Sequence, residues 1–283
     1  MGTTYNIKII KNSNNVNFNS IQFGIDSVLI EVNKLFSTYI PESEISKFNV
    51  SKKEFEISDE FKHLFLHSDE INKNTNGAFD PTIHPLVKLW GFGNKGKIDK
   101  LPDSDIINNI LENIGFNEIE LIQNKLIKSN PNIELDFSAI AKGYGVDVIS
   151  NFLVSKDIKN FMVEIGGEVF CKGNKFRQEW KIGLQNPFFS NNNESVLKII
   201  SLKNVAMATS GSYRNYFEFD GVQFSHTINP STGYPIKHDA VSVSVIANDC
   251  ATADAYATAL MVLGADKGIE LINKNKSLEA VFI

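Results

Sequence analysis

Apolar residues recur along this chain with two periods, and the two do not alternate in a regular order. Ile21, Ile25, Val28, Leu29, Val32, Leu35 and Phe36 fall three and four apart, which predicts an amphipathic helix over residues 20–37. A second helix is expected over 58–76, opened by Ser58 and stopped by Gly77, and DSDIINNILENIG predicts a third. Strands are expected at TYNIKII, NFMVEIG, WKIGLQ and AVSVSVIA, the last alternating with period two, and NEIELIQNKLIKS reads as a hairpin. Because helices and strands are not interleaved one by one, the pattern predicts an α+β fold of mixed sheets with flanking helices. The Asn-rich runs KNSNNVNFNS and FFSNNNES are expected as surface loops too short to divide the chain, so residues 1–283 read as one domain without internal repeats.

Composition removes several classes of partner. The chain is 42% hydrophobic and 22% charged, enough to bury a substantial core. A net charge of −5 supplies no general attraction to phosphate backbones or anionic membranes, so nucleic acid drops out. Cys171 and Cys250 cannot build a disulfide framework and match no zinc spacing; they are expected as small buried apolar residues. No apolar run approaches the roughly 18 residues of a membrane helix. The opening MGTTYNI lacks a signal-peptide pattern, and Asn6 stands where a myristoylation motif needs Ser or Thr.

Candidate chemistry sits in four segments. In DCATADAYATALMVLG, Asp249 is expected to cap a helix, and Asp254 and Thr258, four apart, project from one face. Such a pair can hold a hard cation such as Mg²⁺, or can be a solvated carboxylate and a hydroxyl bonded to its own backbone. LDFSAIAKGYGVDVI also looks helical yet contains Gly143 and Gly145, each costing about 1 kcal/mol relative to alanine. Close approach of a ligand or of another backbone would account for them, and Lys142 could meet a phosphate or lie in water. VEIGGEV ends a strand at Gly166 and Gly167 beside Glu164, as a bulge also would. FSHTINPSTGYP places His226 before the turn formers Asn229, Pro230, Ser231, Thr232, Gly233 and Pro235; alone it reads as a strand ending in a turn. GFGNKG matches G-x-G-x-x-G but lacks the strand, helix and βαβ unit that a dinucleotide site needs, and is expected as a turn.

Taken together, MGTTY, STYIPESEISKFN, GAFDPTIHPLVKLWGFG, LDFSAIAKGYGVD, VEIGGEV, ATSGSYRNYF, FSHTINPSTGYP and ADAYATAL follow one another in a characteristic order. In this the chain resembles the FAD:protein FMN transferase family, the ApbE or flavin-trafficking proteins, from Met1 to the closing LEAVFI. The resemblance implies an α+β protein that binds FAD, cleaves its pyrophosphate with Mg²⁺ and attaches FMN through a phosphoester bond to a Ser or Thr of an acceptor protein, releasing AMP. The alternatives are hydrolysis of FAD to FMN and AMP, and a non-catalytic flavin carrier.

By matched motif, the resemblance makes Asp254 and Thr258 metal ligands, with a backbone carbonyl from Ala139. It places Met1, Asn49, Ala78, Phe79, Asp80, Asp136 and Lys142 around the flavin nucleotide, and adds Glu164, Gly166, Gly167, Ser210, Gly211 and Ile228. His226 becomes the base that takes the proton of the acceptor hydroxyl, help typically worth about 10²–10⁴-fold. The chain holds no acceptor-like D-G/S-x-x-S/T-G-A-T segment, so the expected acceptor is a separate protein, such as a membrane redox-complex subunit or an FMN-binding domain. The resemblance further implies export to the periplasm or the outer face of the cytoplasmic membrane, with a leader removed. Two departures bear on acceptor choice or metal affinity: Ser212 replaces an expected acidic residue, and Asn229-Pro230 replaces Asp-Pro.

Overall fold

Strands made early and late in the chain share one sheet. The computed structural model describes residues 2–11, 17–93, 96, 98–188, 195–212, 216–237 and 240–283. In chain order these form β1 (Tyr5–Ile9), α1 (Phe18–Phe36), α2 (Glu44–Val50), β2 (Glu54–Glu56), α3 (Asp59–Asn74), α4 (His84–Leu89), α5 (Ser104–Leu111), β3 (Ile119–Ile122), β4 (Lys125–Lys128) and α6 (Ala141–Ser155). They continue with β5 (Phe161–Ile165), β6 (Glu168–Lys172), β7 (Trp180–Gln185), β8 (Val196–Leu202), β9 (Val205–Gly211), β10 (Tyr216–Phe219), β11 (Val222–Ser225), β12 (Ser242–Ala247), α7 (Cys250–Lys274) and β13 (Glu279–Phe282).

The main sheet runs β1-β5-β6-β9-β12-β13, and every neighbouring pair is antiparallel. Smaller antiparallel sheets join β2-β4-β3, β7-β8 and β10-β11. This is the expected α+β class. Period-two alternation divides the main sheet's side chains between two cores. Phe161, Val163 and Ile165 of β5 join the core shared with the helices, whereas Met162 joins Trp180, Leu184 and Leu202 of the β7-β8 ribbon on the other side. Both cysteines are free and buried, as expected.

Local signals set the helix starts. Ser58 caps α3 by accepting the Phe61 N–H at 3.2 Å, and its own hydroxyl is held by Glu44 at 2.8 Å. α1 buries the predicted Ile21, Ile25, Val32 and Phe36. The helix expected across LDFSAIAKGYGVDVI begins only at Ala141. Ahead of it Asp136 accepts the Ser138 N–H at 2.8 Å, and local Asx chemistry of this kind competes with helix formation. The G-x-G-x-x-G segment follows a helix, not a strand, and Gly91 has φ 76°. Its residues 94 and 95, like residues 12–16 and 189–194 of the Asn-rich runs, lie outside the described residues.

Candidate functional site

The floor of the site is built where α6 and α7 begin. Gly143 lies so close to α7 that a Cβ there would stand 2.2 Å from the Cys250 carbonyl oxygen, so the glycine is required by another backbone. Asp147, one turn further along α6, accepts the N–H groups of Cys250 and Ala251, both at 2.8 Å, while Asp249 accepts that of Thr252 at 2.8 Å. The start of α7 is therefore capped twice, once from within and once by its neighbour. Burial pushes the Asp147 carboxyl up to about 7, against the two backbone hydrogen bonds that favour its ionised form.

This close crossing brings Asp254, only 2% exposed, against the first turn of α6. Its Oδ2 accepts the Gly143 N–H at 3.0 Å, and Lys142 Nζ stands 3.3 and 3.4 Å from its two oxygens. Thr258 follows on the same face, its Oγ1 3.1 Å from Ser210 Oγ of β9. Lys142 also reaches Glu168 Oε1 of β6 at 3.4 Å. Burial alone would lower the Lys142 ammonium, but Asp254 and Glu168 outweigh it and hold it above the usual lysine range. Burial pushes Glu168 up to about 8, with Lys142 opposing the rise and Asp254 adding to it.

One wall comes from the turn after α3. Phe79 is pinned by its N–H on Thr75 Oγ1 at 3.2 Å and by its carbonyl, which accepts from Asn72 at 2.8 Å. Asp80 then caps the next turn, accepting from the Thr82 N–H at 2.8 Å and hydroxyl at 2.6 Å; burial raises its carboxyl. Asp136, whose N–H donates to the Pro81 carbonyl at 2.7 Å, stands 3.1 Å from His84 Nδ1. Burial would raise Asp136, but His84 and Ser138 more than offset it and leave the carboxyl below its usual range.

The rim carries His226, half-buried just after β11, with Phe92 edge-on at 6.3 Å between ring centroids. The following loop closes on itself. Asn229 Oδ1 accepts from Ser231 N at 2.9 Å and Ser231 Oγ at 2.7 Å, and the Asn229 N–H donates to the Tyr234 carbonyl at 2.9 Å. Trp90 Nε1 donates to the Gly233 carbonyl at 2.8 Å, and Gly233, at φ 75°, packs where a Cβ would meet Ile107 at 2.5 Å. Asn229 therefore makes its turn through a side-chain oxygen that aspartate also possesses. Ser212, the other departure, donates its N–H to the Val241 carbonyl at 3.0 Å at the end of β9 and does not line the cavity.

Floor, wall and rim enclose a cavity of about 420 Å³. Of the residues expected from the sequence, it gathers Ala78, Phe79, Asp80, Asp136, Ala139, Lys142, Gly166, Ser210, Gly211, His226, Ile228, Asp254 and Thr258. Met1 lies outside the described residues.

A model of the ApbE family matches residues 1–282. The chain belongs to the ApbE family. A curated relative from Vibrio cholerae, named FAD:protein FMN transferase, is 43% identical over 279 residues, 98% of this chain and 83% of its own length. One of the same name from Escherichia coli is 34% identical over 248 residues, covering 85% of this chain and 70% of the relative. Among solved structures, the flavin transferase ApbE from Vibrio cholerae is similar with a TM-score of 0.91 at 40% identity, over all of this chain and 90% of that one. The apo flavinyl transferase ApbE from Pseudomonas stutzeri gives a TM-score of 0.90 at 33% identity, over 100% of this chain and 88% of that one.

Within this ApbE chain three expected residues stand elsewhere. Asn49 lines a separate cavity of about 640 Å³ and clamps Leu135 beside Asp136, donating to its carbonyl at 2.9 Å and accepting from its N–H at 2.7 Å. Glu164 accepts from Gly167 N at 2.8 Å and Asn6 Nδ2 at 2.9 Å, away from the lining, and Gly167 is likewise absent from it. The β5-β6 hairpin turns at Gly166 and Gly167, with φ 62° and 110°, so the glutamate that enters the cavity is Glu168. Sequence reasoning also missed Tyr39, 67% exposed and shared with an adjoining cavity of about 390 Å³. Its only signal was an aromatic residue in the STYIP loop.

Proposed function

We propose that this chain is an Mg²⁺-dependent transferase that moves FMN from FAD to a Ser or Thr hydroxyl of an acceptor protein through a phosphoester bond, releasing AMP. One observation carries the reading: His226 on the rim faces the same cavity as Lys142, Asp254 and Thr258 on the floor. The names of the relatives support it.

The donor chemistry fits the metal. Among the described residues no group of three or more His, Cys, Asp or Glu gathers to hold an ion. The floor instead offers the buried carboxylate of Asp254 and the hydroxyl of Thr258, and Ala139, whose carbonyl would complete the set, lines the same cavity. Such an all-oxygen set suits a hard cation that keeps positions for phosphate. When bound, Mg²⁺ neutralises the diphosphate and favours attack at phosphorus.

The chain's own residues do the rest. Lys142, at the start of α6, adds positive charge where the helix N-terminus already favours an anion. His226 accepts the proton of the acceptor hydroxyl as its oxygen attacks the FMN phosphorus. The new O–P bond forms as the bridging bond breaks, and AMP leaves with the bridging oxygen. The same reading carries a place in the cell envelope, checked by fractionation of the producing cells.

The test is incubation with FAD and Mg²⁺, with and without a candidate acceptor domain. Flavin covalently bound only when acceptor is present supports the transferase. AMP formed equally without acceptor replaces it with a hydrolase, and neither product leaves a carrier.

A further inference from the structure

Two buried carboxylates on the floor share one ammonium. Lys142 Nζ lies 3.3 and 3.4 Å from the oxygens of Asp254, 3.4 Å from Glu168 Oε1 and 3.3 Å from the Ser138 carbonyl. The side chain of Glu168 is 4% exposed, and its other oxygen, Oε2, is buried with no hydrogen-bond partner among the described residues. Buried polar atoms are nearly always satisfied, so an unused carboxylate oxygen in a ligand cavity calls for a partner that arrives in another state.

That partner is already in the cavity. A divalent ion held at Asp254, as proposed above, would stand beside the Lys142 ammonium, and like charges at such spacing in a buried site repel strongly. The ammonium must then leave Asp254. Its flexible four-carbon stem starts from the first turn of α6, and the acceptor beside it is Glu168, whose Oε1 already lies 3.4 Å away. We infer that Glu168 is a positioning residue that takes Lys142 over from Asp254 when the cation binds, and so tunes cation affinity and directs the ammonium at the diphosphate. In the ion-bound state Lys142 is an ammonium and Glu168 a carboxylate.

The inference rests on the metal reading, and one set of measurements separates the two. Mg²⁺ is titrated calorimetrically into the FAD-free full chain at pH 8.5, and crystals of the unmodified chain are soaked in Mg²⁺ without nucleotide. Glu168→Gln should weaken Mg²⁺ binding about tenfold, since the displaced ammonium loses its anion, and Lys142→Met should tighten it about tenfold. The soaked crystal should show Lys142 on Glu168 and clear of Asp254.

Affinity of Glu168→Gln within twofold of the unmodified chain would overturn the handover. So would a crystal in which Lys142 stays on Asp254 or Glu168 itself binds the ion; the crystal decides alone should Glu168→Gln not fold. Should Asp254→Ala bind Mg²⁺ as well as the unmodified chain, the metal reading has failed, and this inference falls with it.

Discussion

The floor and the rim of the cavity are made in opposite ways. On the floor, contacts join residues more than a hundred positions apart: Lys142 and Gly143 to Asp254, and Asp147 to Cys250 and Ala251. On the rim, the loop after His226 is closed mainly by Asn229 acting on Ser231, Gly233 and Tyr234, all within five residues. Charge placement on the floor therefore depends on the whole fold, whereas the rim is held largely by its own turn chemistry. Floor substitutions should register in both stability and chemistry, and substitution of His226 on the rim in chemistry alone.

The sharpest test of this contrast is Asp254→Ala, which should abolish Mg²⁺-dependent AMP release; normal turnover would remove the proposed ion from the floor. His226→Ala should slow transfer to the acceptor by about 10²–10⁴-fold while FAD still binds, measured by covalent flavin formed per minute. Unchanged transfer rates would strip the rim of its role as base. Gly143→Ala should cost about 3 kcal/mol in denaturant unfolding, because the new methyl meets backbone that cannot move aside.

Asp147→Ala should cost about 2 kcal/mol by leaving two N–H groups of α7 without an acceptor. Asp147 also gives the floor a pH signature. Its folded-state value of about 7 lies above the unfolded 3.8, so the native state holds the extra proton between them. Its contribution is full below about 4 and is lost as pH rises towards 7. Asp147→Asn should flatten that part of the stability profile, and an unaltered slope would assign it to other groups. Smallest of all, Asn229→Asp should change stability by less than about 0.5 kcal/mol, since the turn needs only the side-chain oxygen.

Periodicity exposed most of the elements that carry these regions. The helix bearing Asp254 and Thr258, its Asp249 cap and the strand AVSVSVIA are local patterns, and each forms where the alternation places it. What stayed hidden are pairings between distant segments. No local rule says that Asp147 caps another helix, that Asn49 braces Leu135, or that Gly143 yields to the backbone of Cys250. Nor could VEIGGEV by itself tell which glutamate turns inward, because the answer depends on where the hairpin reverses. The sharing of one cavity by His226 and Asp254 followed from family resemblance, not from spacing.

The sheet order has a consequence for how the molecule is made. β1 is made well before its partner β5, with Tyr5 opposite Ile165, and β13, on the other edge, is made after both. A nascent chain thus carries an unpaired strand until β5 has followed it, and an open strand edge of this kind invites pairing with neighbouring chains.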